Sequence, residues 1–136
     1  MFAGGPIAWN SKKQSCVAIS TAESEIVAAS ACAQEALWFT SLLTELGMAP
    51  SQPIVIHEDN AGAIVLAETS VTGKRTKHID VRYHFINDAV KQNKIALRKI
   101  ETKKNIADIF TKALARDRFT DLSRHFISTA ILQEQQ

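Results

Sequence analysis

One short apolar run organises the hydrophobic and polar pattern of the chain. The β-branched residues 54–56 follow Pro53 and precede four polar residues, a pattern typical of a buried strand that ends in a polar corner. The next eight residues, 61–68, are mostly apolar and predict a helix, which either Asp59 or Asn60 can cap. The corner therefore lies at the carboxyl end of a strand, where open α/β sheets usually bind ligands.

A long helix precedes this strand. Ser20 and Glu23 form a Ser-x-x-Glu capping box, so we expect a helix from about residue 21 to residue 46, ended by Gly47. Its small residues permit close packing on a sheet. Glu25 lies on or beside that small-residue face, which directs it towards the sheet rather than into water.

The remaining pattern predicts three more strands and three more helices. Short apolar runs indicate the strands, and apolar residues one turn apart indicate the helices. We expect Trp9 and Trp38 to lie in the core. The order of elements implies an α/β sandwich with at least some parallel pairing. In chain order the strands cover residues 7–9, 16–19 and 94–100, and the helices cover residues 79–92, 102–114 (or 105–114) and 119–127.

Composition is that of one ordinary globular domain, with 46% hydrophobic and 22% charged residues. The longest apolar runs are short, so we expect neither a transmembrane helix nor a signal peptide. Cys16 and Cys32 lack metal-ligand spacing, and we interpret them as reduced, packed thiols of an intracellular protein. Residues 1–70 carry two basic and seven acidic residues, whereas residues 71–136 carry 14 and seven. A basic second half fits an anionic partner, although such residues often only solvate helices.

Three acids lie at positions where a role as a solvated surface charge is the weakest explanation. They are Glu25, Asp59 and Asp108. Converging carboxylates coexist near neutral pH most readily when divalent cations lie between them. Two Mg²⁺ ions held in this way catalyse phosphodiester hydrolysis. The structural alternatives are helix capping for Asp59 and a first-turn dipole contact for Asp108, and spacing alone leaves both open.

Several sequence stretches resemble a known family. The chain is similar to the RNase H domain that ends the Pol polyprotein of Ty1/copia LTR retrotransposons, from about residue 4 to residue 126. The matching stretches are GGPIAWNSKKQ (residues 4–14), STAESEIVAAS (20–30), EDNAGAI (58–64), RTKHIDVRYHFI (75–86) and NIADIFTKAL (105–114).

This resemblance implies an RNase H-like fold, a mixed sheet flanked by helices, and cleavage of the RNA strand of RNA–DNA hybrids. The implied cofactor is a pair of Mg²⁺ ions, with Mn²⁺ as a substitute. Glu25 matches the family's catalytic glutamate best, with Glu23 as second choice. Asp59 matches the aspartate at the strand end, and Asp108 matches the final aspartate. Metal binding is the implied role of all three.

Basic residues of the loop 69–77 and of the helix after it are the phosphate-contact candidates. A solvated connector is the equal alternative for the loop, and a structural role is the alternative for the histidines His78 and His84. The implied partners are the RNA–DNA hybrid and the reverse transcriptase portion of the polyprotein, in a cytoplasmic virus-like particle or the nucleus, with no membrane. The candidates for nucleic-acid binding are Lys74, Arg75, Lys77, His78 and Arg82.

The match departs from the family at its start. The family's first catalytic aspartate lies on a strand upstream of GGPIAW, and residues 1–22 contain no acid. We therefore expect an RNase H-like domain over residues 1–127 that lacks its first strand or strands, with a flexible tail at 128–136. Such a domain would be weak or inactive alone, and its open sheet edge could pair with a second copy. The alternative function is a non-catalytic remnant that binds nucleic acid or a protein.

Overall fold

The computed structural model of the protein describes residues 6–15, 17–50, 53–69 and 77–126, with side chains from residue 80 onward in the last range. Two compact units divide the chain. The larger unit covers residues 14–103, and the smaller unit combines residues 1–13 with residues 104–136. Cys16 and the predicted flexible tail lie outside the described residues.

Helix α1, Thr21–Glu45, begins and ends where the sequence predicts. The Ser20 side chain accepts a hydrogen bond from the Glu23 N–H at 3.2 Å, and the Glu23 carboxylate accepts one from the Ile19 N–H at 2.8 Å. The capping box is thus confirmed, with the reciprocal bond made one residue before the cap. Gly47 follows the helix with a φ of +74°, a backbone conformation that glycine adopts without strain.

A two-stranded parallel sheet lies at the centre of the larger unit. Strand β1 is Ile54–Glu58 and strand β2 is Ile95–Lys99, paired so that Ile56 lies opposite Leu97. Helices α2, Ala61–Glu68, and α3, Lys77–Lys91, form the crossover between the strands. The predicted parallel pairing is therefore confirmed, within a mixed α/β architecture.

Helices α1, α2 and α3 bury their small and branched residues against one another and against the sheet. All three helices contribute alanines to this core, and such small side chains allow helices to pack closely, as the small-residue face of α1 predicts. The buried residues of this core are Ile26, Ala29, Ala33, Ile56, Ala63, Ala67, Tyr83, Ile86, Ala89, Ile95 and Leu97.

The smaller unit contains two 3₁₀ turns, Thr102–Lys104 at its border and Ile106–Phe110, and helix α4, Arg116–Ser123. The sequence predicted one α-helix up to residue 114, and this was wrong. The N–H groups of Thr111 and Lys112 both donate to the Asp108 carbonyl at 3.1 Å, so the turn closes there. Apolar residues three apart fit a 3₁₀ turn as well as an α-helix.

Two predicted strands and two predicted core residues are also wrong within the described residues. No strand forms at residues 7–9 or 17–19, where Val17 is 87% and Ile19 81% exposed. Strand formation needs a neighbour for its backbone groups, and apolar character does not supply one. Trp9 and Trp38, expected in the core, are 67% and 62% exposed.

Helix α1 is also long and apolar enough to cross a membrane by its length and composition. The core helices of soluble proteins pass the same test, and α1 contributes seven buried residues to the protein interior. Cys32 of α1 is exposed, so the prediction that this thiol is packed was wrong.

Candidate functional site

Three carboxylates meet where β1 ends. One oxygen of Glu25, one of Glu58 and one of Asp59 all lie within 4.8 Å of one another. Glu58 is buried, with 6% of its surface exposed, and the other two are half-buried. The sequence predicted that Glu25 and Asp59 converge, and the larger unit brings them together.

Glu58 is the member that the sequence analysis missed, although a signal for it was present. Ile54, Ile56 and Glu58 follow the two-residue period of a strand, so Glu58 leaves β1 on the same face as the buried Ile56. That face is the one on which α1 packs, and Glu25 lies in the second turn of this helix. The period therefore directs Glu58 towards Glu25.

The corner after β1 is fixed by backbone hydrogen bonds. The Asn60 N–H donates to Glu58 Oε1 at 2.8 Å, and the Asn60 side chain accepts a hydrogen bond from the Ala63 N–H at 3.2 Å. Asn60 is therefore the cap of α2, and the Asp59 carboxylate stays available to a ligand. The Lys99 ammonium donates to the Asp59 carbonyl oxygen and ties the corner to β2.

Burial raises the pKa of Glu58 above its ordinary value, because desolvation disfavours the charged carboxylate. The Asn60 N–H opposes this shift, and the nearby negative charges of Glu25 and Asp59 add to it. The three acids thus repel one another in the folded chain. A bound cation would reverse that repulsion into attraction.

The donor set fits a hard divalent cation. Carboxylate oxygens are the ligands that Mg²⁺ and Ca²⁺ prefer, and opposite oxygens around Mg²⁺ stand about 4.2 Å apart. Oxygens within 4.8 Å of one another lie near the separations that one such ion imposes, about 2.9 Å between adjacent ligands and about 4.2 Å between opposite ones. The residues present therefore fit Mg²⁺ or Mn²⁺ by chemistry and by spacing.

Asp108 lies in the smaller unit, in the first turn of the 3₁₀ segment Ile106–Phe110. It is buried, and its carboxylate accepts hydrogen bonds from the Lys112 ammonium at 2.7 Å and the Arg118 guanidinium at 2.9 Å. Burial acts to raise the pKa of Asp108, but these two cations outweigh it and hold the pKa below its ordinary value. Asp108 is therefore ionised at neutral pH.

The predicted nucleic-acid contacts fall at the edge of the described residues. Lys74 and Arg75 lie outside them, as do the side chains of Lys77 and His78 at the start of α3. Arg82 is half-buried on α3, and His84 is exposed on the same helix.

Replacing Glu58 with glutamine should raise the free energy of unfolding of the metal-free chain by about 0.5–2 kcal/mol at pH 7. A raised folded-state pKa gives stability that is complete below the unfolded pKa, near 4.5, and is lost as pH rises through the folded pKa. The glutamine keeps the acceptor for the Asn60 N–H without the charge. Urea unfolding in EDTA at pH 7 and at pH 4.5 measures both effects.

The gain of Glu58→Gln should shrink towards pH 4.5, where the wild-type carboxyl takes up its proton. Glu35→Gln, at an exposed position of α1, is the matched control and should change stability little. Equal or lower stability of Glu58→Gln at pH 7 would show that the three charges do not repel one another.

Curated relatives with known names match most of the chain. The "Retrovirus-related Pol polyprotein from transposon TNT 1-94" of Nicotiana tabacum is 43% identical over 118 residues, which are 87% of this chain and 9% of that protein. The corresponding RE2 polyprotein of Arabidopsis thaliana is 41% identical over 119 residues, 88% of this chain and 8% of that protein. The chain is homologous to retrotransposon Pol polyproteins.

A more distant relative extends the same match. The Ty1-NL2 Gag-Pol polyprotein of Saccharomyces cerevisiae is 29% identical over 124 residues, 91% of this chain and 7% of that protein. No protein-family model and no solved structure matches the chain. Because the chain spans less than a tenth of these polyproteins, the alignments alone assign it none of their separate activities.

Proposed function

We propose that this chain is the RNase H-like nuclease domain of a retrotransposon polyprotein and hydrolyses the RNA strand of RNA–DNA hybrids. The observation that supports this most is the convergence of Glu25 and Asp59 at the end of β1. These are the two residues that the family resemblance assigns to metal binding in this unit. Homology to Pol polyproteins supports the same assignment independently of the geometry.

Glu25 and Asp59 would hold divalent cations from two sides, one from a helix and one from a strand end. When bound, two Mg²⁺ or Mn²⁺ ions activate a water and stabilise the leaving oxygen of an in-line phosphodiester displacement. Glu58 accepts the Asn60 N–H and so fixes the corner that carries Asp59. Its charge adds to the attraction for a cation.

The resemblance assigns metal binding to Asp108 as well, in the smaller unit. Its ion pairs with Lys112 and Arg118 keep it charged, which a metal ligand requires. We assign phosphate binding to Lys74, Arg75, Lys77, His78 and Arg82. We assign the reverse transcriptase portion of an intracellular polyprotein as the protein partner of this domain.

The test is cleavage of a hybrid whose RNA and DNA strands carry different labels, in Mg²⁺, in Mn²⁺ and in EDTA. We expect products with a 3′-hydroxyl and a 5′-phosphate in either metal and none in EDTA. Equal cleavage in EDTA, or cleavage of the DNA strand alone, would contradict the proposal. Mn²⁺ titration followed by calorimetry measures the site even where the chain turns over slowly.

A second candidate function is protein association through the open edge of β1, and the backbone geometry favours it. The Ile54 N–H donates to the Lys94 carbonyl oxygen, and the Ile100 N–H donates to the Glu58 carbonyl oxygen, both at 3.0 Å. Alternation along the strand then turns the backbone groups of Val55 and His57 away from β2. On that side the described residues form no further strand, which suits an added strand from a second copy.

Val55→Pro should abolish such association without unfolding the chain. Proline removes the N–H that points outward and leaves the β1–β2 hydrogen bonds in place. Light scattering after size exclusion over a range of concentrations measures the effect. Val55→Ala keeps the N–H and is the matched control. A wild-type chain that stays monomeric, or equal association of both variants, would exclude pairing through this edge.

A further inference from the structure

The exposed face of the sheet, opposite the face that carries Glu58, holds a pair of basic side chains at the carboxylate-cluster end of the strands. Strand register places His57 of β1 opposite Arg98 of β2, and register partners in a parallel sheet point to the same face. Both residues are exposed, whereas their strand neighbours Ile56 and Leu97 on the opposite face are buried. Two nitrogen-bearing side chains thus stand together on the open face.

The pair lies near the carboxyl end of both strands. His57 directly precedes Glu58, so it stands one strand residue, about 3.3 Å of rise, before the carboxylate cluster and points to the face opposite Glu58. Arg98 lies on the neighbouring strand, about 4.8 Å away across the ladder. Lys99, next in the chain, already holds the Asp59 carbonyl. The carboxyl end of the sheet therefore combines the acids with cations.

Arg98 differs from Arg118 in its partners. Within the described part of the chain no carboxylate pairs with it, whereas Arg118 is committed to Asp108 at 2.9 Å. His57 likewise forms no hydrogen bond with the described residues. Arginine presents several donors in a fixed planar fork that matches a phosphate in two-point geometry, and histidine adds a further donor.

We propose that His57 and Arg98 bind a backbone phosphate of the RNA–DNA hybrid, next to the phosphate that the carboxylate cluster acts on. This inference rests on the proposed nuclease function and assigns part of its substrate contact. A strand that runs across the carboxyl end of β1 and β2 meets the acids and the His57–Arg98 pair in succession. The pair fixes the register of the hybrid on the cluster and carries no base specificity.

The experiment is equilibrium binding of a fluorescent RNA–DNA hybrid in EDTA, so that no cleavage occurs, from 50 to 200 mM KCl. Each phosphate contact adds close to one unit to the slope of log affinity against log salt concentration. Arg98→Ala should reduce that slope by about one unit and weaken binding several-fold at low salt. Arg98→Lys, which keeps the charge without the fork, should restore most of the slope.

Lys94→Ala is the matched control, because Lys94 is an exposed cation that directly precedes β2 at the opposite end of the strand. It should leave the slope unchanged. An unchanged slope for Arg98→Ala, an equal loss for Lys94→Ala, or a wild-type chain that does not bind the hybrid would overturn the inference. Cleavage in Mg²⁺ with an unchanged Arg98→Ala slope would refute this contact alone. A reduced slope in a chain that cleaves nothing would refute the nuclease function alone.

Discussion

Asp59→Asn is expected to abolish hydrolysis of the RNA–DNA hybrid and to weaken Mn²⁺ binding by at least about 100-fold. Loss of a partner behind a metal ligand already costs 10–100-fold in metal affinity or activity, so removal of a charged ligand costs at least the upper value. Asparagine keeps the shape of the side chain but removes the negative charge that holds a cation. Cleavage of labelled hybrid and calorimetric titration with Mn²⁺ measure the two effects separately.

The fold of the Asp59→Asn variant should survive, because the contacts of Asp59 that fix the corner use its backbone. Lys99 binds its carbonyl oxygen, and Asn60, not Asp59, caps α2. Removal of one of three repelling charges should even raise the stability of the metal-free chain. Binding of the hybrid should stay equal or become stronger, since a negative charge near the phosphates is lost.

Asp88→Asn is the control for Asp59→Asn, because Asp88 is an exposed aspartate of α3. It should change neither cleavage nor Mn²⁺ affinity. Full cleavage by Asp59→Asn would place the chemistry elsewhere in the protein. If the wild-type chain does not cleave the hybrid but Asp59→Asn lowers the Mn²⁺ affinity, the metal site would be supported and the nuclease reaction excluded.

The candidate site was predictable where local patterns decide it. The capping box fixes where α1 begins and thereby places Glu25, and the β-branched run locates β1 and the polar residues after it, which include Asp59, although β1 continues to Glu58. Glu58 was predictable from the same strand period but was counted with the polar corner. The choice between Asp59 and Asn60 as cap needed coordinates, since both residue types cap helices equally well.

The sequence did not predict the fold where contacts between segments far apart in the chain decide it. Residues 7–9 and 17–19 have the composition of strands, but a strand exists only where another chain segment completes its backbone hydrogen bonds. Trp38 lies on a helix that is apolar on several sides, so its exposure follows from which side the sheet and α3 occupy. Residues 106–110 are shaped by the bonds that Asp108 makes.

Ile26→Ala is expected to have the largest effect on stability, a loss of about 2–5 kcal/mol in the free energy of unfolding. Ile26 is 1% exposed and packs in the core formed by α1, the other helices and the sheet. Its truncation leaves a cavity that small neighbours such as Ala29 and Ala63 cannot fill. Because native stability is about 5–15 kcal/mol, this loss is a large fraction of the whole. Urea unfolding in EDTA measures it.

Ile26→Val should lose only about 0.5–1.5 kcal/mol, and Val65→Ala, at a position 56% exposed on α2, should lose little. A loss below about 1 kcal/mol for Ile26→Ala would mean that the core relaxes around the cavity.

Ile26 also directly follows Glu25, so the same variant tests whether the core holds the ligand in place. Mn²⁺ stabilises the native chain by an amount that rises with the logarithm of its affinity. A smaller Mn²⁺-induced rise in Tm for Ile26→Ala than for wild type would show that packing beneath α1 positions the Glu25 carboxylate, whereas an equal rise would show that the core supports the fold alone.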